Sequence, residues 1–174
     1  MKKMITILLA LIVGLCIYKE QKNDSIIIPN SAIRLRVIPN SNSSLDQSMK
    51  IKVKKYLEDN TYLLLKDEDD INDARKIIKD NIINIEDDVK NIFEENDYKM
   101  DYNVDYGYHY FPKKEYRNIT YEEGYYESLV ISIGSAEGDN WWCVLFPNLC
   151  LADLEKKEDT EYKSWILEQI NKIF

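Results

Sequence analysis

Apolar residues recur along this chain at two spacings, every second position in some stretches and every third or fourth in others. In Ala32 to Ile38, Ile33, Leu35 and Val37 alternate with Arg34 and Arg36, which predicts a half-buried strand stopped by Pro39. Asn40 to Ser44 offers N-cap side chains, and Leu45, Met49, Val53, Tyr56, Leu57 and Leu64 then fall at helical spacing, so a helix is expected over 45–65. Asp70 can cap the next segment. There Ile71, Ala74, Ile77, Ile78, Ile82, Ile85, Val89, Ile92 and Phe93 form a stripe through residue 96, either as one helix or as two broken near Asn81 to Asn84. The period then drops to two: Met100, Tyr102, Val104, Tyr106, Tyr108 and Tyr110 predict a strand ended by Pro112. Tyr116 to Tyr121 and Tyr125 to Ile133 are expected to form a hairpin around Glu122-Glu123-Gly124. Trp141 to Cys150 is the densest apolar stretch of the second half, and a last helix is expected after Thr160, with Tyr162, Trp165, Ile166, Ile170 and Ile173 on one face.

Strands and helices come in blocks, without repeated βαβ units. The expected class is therefore α+β: a single domain with a mainly antiparallel sheet packed against two to four helices. An apolar segment precedes it. Lys2-Lys3 lead into Met4 to Tyr18, 15 residues without a charge, shorter than the ~20 needed to span a bilayer core. This is an export signal. Gly14 and Cys16 make a poor cleavage site, so residues 1–18 are either a signal peptide or an uncleaved signal anchor, with membrane association through residues 4–18 in the second case. Leu15 stands where a small residue should precede a lipidated Cys16. Residues 19–25 form a polar tether, and 26–174 the domain.

Composition narrows the partners. With 31% charged and 45% hydrophobic residues the chain can bury a core. Its formal charge of −8 repels phosphate backbones, which argues against nucleic acid. Catalytic signatures are missing: no His-Glu-x-x-His, no Gly-x-Ser-x-Gly, no phosphate-binding glycine loop, and one histidine, His109. Ser135 within Gly134-Ser135-Ala136-Glu137-Gly138 is out of place for a nucleophile elbow, and acid pairs such as Asp87-Asp88 and Glu122-Glu123 are common in a chain with 31 acids. We expect no enzyme, no cofactor and no metal.

Three features suit binding. Cys143 and Cys150, with Pro147 between them, are close enough for a disulfide in an oxidising compartment; two buried thiols are the alternative. Trp141 and Trp142 are neighbours on a strand and must point to opposite faces, so they are either interface anchors, with Phe146 beside them, or are covered by the domain itself. Arg34 and Arg36 share one face of the first strand, where they either meet a partner's carboxylates or pair with the chain's own acids.

Two stretches resemble the stage II sporulation protein R family. The first is Ile28-Pro29 with Ala32 to Ile38, Asn40-Ser41-Asn42-Ser43 and Asp46-Gln47; the second is Gly138-Asp139-Asn140-Trp141-Trp142-Cys143-Val144-Leu145-Phe146-Pro147 with Cys150. Pro39 stands where that family commonly has Ala, and Asn42 where Asp is usual. The resemblance implies a protein made in the forespore and exported into the space between the two cell membranes. There it would trigger a membrane-embedded aspartic protease of the mother-cell membrane, which processes a pro-sigma factor, pro-sigma-E. The rival expectations are an extracytoplasmic carboxylate-dependent hydrolase and a structural envelope protein.

Overall fold

The structure, a computed structural model, describes residues 26–27, 29, 31–116, 119–147, 149, 167–168 and 170–173. The apolar leader 1–18, the tether 19–25, Cys150 and the stretch containing Tyr162, Trp165 and Ile166 lie outside the described residues.

The elements run β1 (Ile26–Ile27), β2 (Ile33–Ile38), α1 (Ser44–Leu65), α2 (Ile71–Asp80), α3 (Ile82–Glu95), β3 (Tyr102–Phe111), β4 (Lys114–Tyr116), β5 (Ile119–Tyr121), β6 (Gly124–Ile133) and β7 (Trp141–Phe146). Local chemistry sets the helix starts. Ser43 caps α1 by accepting from the Asp46 N–H, and Asp70 caps α2 by accepting from the N–H groups of Asn72 and Asp73. The α2/α3 stripe is two helices. They part at Asn81, whose side-chain amide donates to the Ile77 carbonyl at 2.8 Å and so competes with the helical ladder.

The main sheet has the order β3-β6-β2-β7. Its outer pairs are antiparallel, but the central pair, β2 with β6, is parallel, with Leu35 opposite Leu129 and Val37 opposite Ile131. The sheet is therefore mixed, where the sequence reading expected it to be mainly antiparallel. Alternation cannot report strand direction; the parallel pair arises because α1 to α3 and β3 form the crossover between β2 and β6. The hairpin expected around Glu122 to Gly124 is also replaced. β6 pairs with β3 along its whole length, from Phe111–Gly124 to Tyr102–Ile133, while β5 pairs with β4 and β1 in a second sheet of order β1-β5-β4.

Helices cover one face of the main sheet. Met49, Val53, Leu57, Ala74, Ile78, Ile85, Val89 and Phe93 meet Ile33, Leu35, Val37, Leu129, Ile131 and Ile133 in one core; each large aliphatic side chain contributes about 1.5–3 kcal/mol by burial. Leu45 and Leu64, expected on the buried stripe of α1, are exposed. Ile173, near the C-terminus, packs against the core, and Lys172 pairs with Asp69 at 2.7 Å.

A polar latch joins the two stretches that carry the family resemblance. The buried Asp46 carboxylate accepts from Asn40 Nδ2 (3.0 Å), Ser41 Oγ (2.5 Å) and Tyr98 OH (2.6 Å). The loop so shaped receives residues 134–139: Asn40 Oδ1 accepts from the Ser135 N–H, Pro39 O from the Gly138 N–H, and Asn42 Oδ1 from the Asp139 N–H at 2.6 Å. Lys50 Nζ completes it on the Asp139 carbonyl at 2.9 Å. The approach needs glycine, because a Cβ on Gly138 would stand 2.3 Å from the Ser41 carbonyl oxygen. Gly138→Ala should therefore lower stability by about 1–3 kcal/mol, read as a lower urea midpoint at unchanged slope.

The donors from Ser41, Tyr98 and Asn40 hold the Asp46 carboxyl well below the usual carboxylate range. The unfolded chain thus takes the proton first. The stability this contributes is complete above the ordinary aspartate value of about 4 and drains away as pH falls below it. Urea midpoints measured from pH 7 to pH 3 should fall steeply in the wild type and distinctly less in Asp46→Asn.

Candidate functional site

The face of the main sheet away from the helices holds the candidate site. Period two places Arg34 and Arg36 of β2 there, with Trp142 and Val144 of β7, Tyr126 and Ser128 of β6, and Phe111 and His109 of β3. This face is not the solvated surface that alternation suggests, because the second sheet contributes Tyr121 and Lys114 over it. Arg34 is consequently 1% exposed.

Its guanidinium lies among rings instead of acids. The carbon of the Arg34 guanidinium is 3.3 Å from the centre of the Tyr126 ring, a stacking contact, and 5.2 and 5.8 Å from those of Phe111 and Tyr121. Arg36 is 5.5 Å from Phe111 and 5.7 Å from Trp142, and its Nη1 donates to the Tyr110 carbonyl at 3.3 Å. Phe111 and Trp142 meet edge to face with centroids 5.1 Å apart, and Lys114 Nζ is 4.9 Å above the Trp142 ring. None of the three Arg34 guanidinium nitrogens, nor Arg36 Nε, nor Trp142 Nε1 has a hydrogen-bond partner among the described residues. Burial pulls both arginines below their ordinary pKa, partly offset at Arg34 by Tyr126 and Tyr121. Among the described residues no acid pairs with the Arg34 guanidinium.

The other candidates separate. Trp141 and Cys143 turn to the helix face, where both pack half-buried against the core and Lys54 Nζ sits 5.3 Å from the Trp141 ring. Phe146 is 1% exposed within that core, so it packs and is not offered to a partner. Cys150, the expected disulfide mate of Cys143, lies outside the described residues. Trp142 alone of the aromatic trio joins the arginines.

Sequence reading missed a hydrogen-bonded chain beside this cluster. His109 Nε2 and Asp105 Oδ2 are 2.8 Å apart, and His109 Nδ1 and Ser128 Oγ are also 2.8 Å apart. Gly107, between Asp105 and His109 on the same face, puts no side chain in their way. The available signal was that the one histidine falls four residues after an aspartate on a strand. The order acid, imidazole, hydroxyl resembles a nucleophile relay, but Ser128 is 0% exposed and its Oγ donates to the Tyr126 carbonyl at 3.2 Å, which gives a substrate no approach. Among the described residues no group of three or more His, Cys, Asp or Glu is placed to hold a metal ion.

The sequence that builds this sheet and its guanidinium-aromatic cluster matches one family of sporulation proteins. Residues 29–156, which include both ends of the polar latch and the whole cluster, match the family model of stage II sporulation protein R, and the chain belongs to that family. Among its relatives, Stage II sporulation protein R of Bacillus subtilis (strain 168) is 35% identical over 140 residues, a match that covers 80% of this chain and 62% of the relative's length. No solved structure matches the chain.

The buried Ser128 sets an expectation for chemistry. Incubation of the folded protein with a fluorophosphonate should leave its intact mass unchanged, and a one-to-one adduct on Ser128 would mean the relay is open to substrates.

Proposed function

We propose that this chain is an exported intercellular signal of sporulation that acts by binding. It is made in the forespore, reaches the space between the two membranes through its apolar leader, and triggers a membrane-embedded aspartic protease of the mother-cell membrane to process pro-sigma-E. Membership of the stage II sporulation protein R family over residues 29–156 carries this reading. The leader Lys2 to Tyr18 supports export. A disulfide between Cys143 and Cys150 would suit an oxidising compartment.

Binding, not catalysis, is the mode that the site favours. A ligand shifts a protease toward an active state only by contacting that state better, and the half-buried Trp142 beside two arginines is the kind of anchor such contacts use. Co-expression with the protease and pro-sigma-E tests the reading. Processing should occur with the full chain and fail without residues 1–18. Trp142→Ala should cut processing by tenfold or more, the loss of about 1.4 kcal/mol of contact, while circular dichroism stays that of the wild type. Processing at the wild-type level by a folded Trp142→Ala protein would remove this face from the function.

A further inference from the structure

The five unpartnered donors on one face ask for an acceptor. Arg34 is a fully buried cation, Arg36 lies two residues along the same face, and no acid answers either guanidinium nitrogen fork: Arg34 Nε, Nη1 and Nη2, Arg36 Nε and Trp142 Nε1 are all without a hydrogen-bond partner among the described residues. Two like charges at this spacing repel, and ring faces satisfy a cation's charge in part but accept none of its N–H groups in the plane of the fork. We propose that the Arg34-Arg36-Trp142 cluster is a receptor for a single carboxylate, a glutamate or aspartate side chain on an otherwise apolar segment of the partner polypeptide. The inference rests on the reading of this chain as a binding protein.

The geometry selects this chemistry over other anions. A guanidinium fork fits a planar carboxylate in bidentate fashion, and a planar, singly charged group can enter between Tyr126, Phe111 and Trp142 with less desolvation than a phosphate dianion. The chain's formal net charge of −8 repels polyanions and anionic lipid surfaces as a whole, so a lone acid among apolar residues approaches where an acidic tract does not. Access is built in. The cover over Arg34 and Trp142 comes from β4 and β5, strands of three residues each, so few ladder bonds hold it in place. Arg36 and Trp142 form the half-exposed rim through which a side chain enters.

Arginine Nε–H and tryptophan indole N–H groups give resolved signals in nitrogen-15 NMR spectra, so the donors can be watched directly in the full chain. Acetyl-Leu-Glu-Leu-amide should shift the Trp142 indole and Arg36 Nε signals saturably, and acetyl-Leu-Gln-Leu-amide should not. Arg36→Gln should weaken the glutamate peptide by at least about tenfold. Arg34→Met, which removes the buried charge at similar volume, should stay folded and lose the peptide. Equal shifts with the glutamine peptide would mean apolar docking only. Saturation by inorganic phosphate at lower concentration would make the site a phosphate receptor, and wild-type peptide affinity in a folded Arg34→Met would take Arg34 out of the site. Any of these three results, or no shift with the glutamate peptide, overturns the proposal. No protease or sigma factor is present in the titration, so its failure is separate from a failure of the trigger role in co-expression.

Discussion

Asp46 is the interaction on which the arrangement of this domain depends. One buried carboxylate gathers three side-chain donors from two places: Asn40 and Ser41 after β2, and Tyr98 after α3. Hydrogen bonds to a charged acceptor contribute about 1.5–3 kcal/mol each, so this node is worth as much as a fair part of the core. Its consequence is geometric. The loop it shapes presents Pro39 O, Asn40 Oδ1 and Asn42 Oδ1 to residues 134–139, and that loop delivers the chain into β7. The entry of β7, Trp141 opposite Val37 and Trp142 opposite Arg36, follows from where the latch ends.

The parallel β2–β6 pair has the opposite character, since it imposes a cost. A strand held between two neighbours and covered on both faces buries whatever its sequence supplies, and β2 supplies Arg34. An unpaired buried charge costs several kcal/mol even after relaxation, whereas contact with aromatic faces returns about 2 kcal/mol or more when desolvated. Three rings within 6 Å of the Arg34 guanidinium carbon therefore offset the charge, while among the described residues none of its nitrogens has a hydrogen bond of ordinary geometry. The contrast with Arg75 is instructive. Arg75 Nε donates to both oxygens of Glu127 at 3.0 and 2.8 Å, and Tyr106 OH adds a third bond to that carboxylate. The fold can thus satisfy an arginine across the helix face with an acid and a tyrosine, and on the other face it surrounds one with aromatic rings and, among the described residues, with no paired acid.

Legibility divided along the same line. The helix starts were readable because Ser43 and Asp70 act through their own neighbours, and the long strands because Ile33-Leu35-Val37 and Leu129-Ile131-Ile133 alternate. What alternation could not supply was the partner of each strand. It left the central pair's direction open and set Tyr116 to Tyr121 against β6, although those residues belong to a second sheet. That sheet is why Arg34 was read as surface: nothing in Ile33 to Ile38 reports that Tyr121, far along the chain, will cover it. The latch was visible only as motif residues, since Asn40 and Ser135 meet across 95 positions. His109 was noted as the one imidazole, but its contact with Ser128 needs the β3–β6 register.

β7 separates the two tasks of the domain by the period of its own backbone. Trp141 and Cys143 face the helices and Trp142 and Val144 face the arginines, so a change on one side of the strand is felt on the other only through the backbone. The register shift between Ile33 and Arg34 lets Leu145 and Phe146 both enter the core and locks the strand's far end, while the Asp46 latch locks its near end. Cys143 lies on the core side of this doubly anchored strand, away from the face on which Trp142 lies.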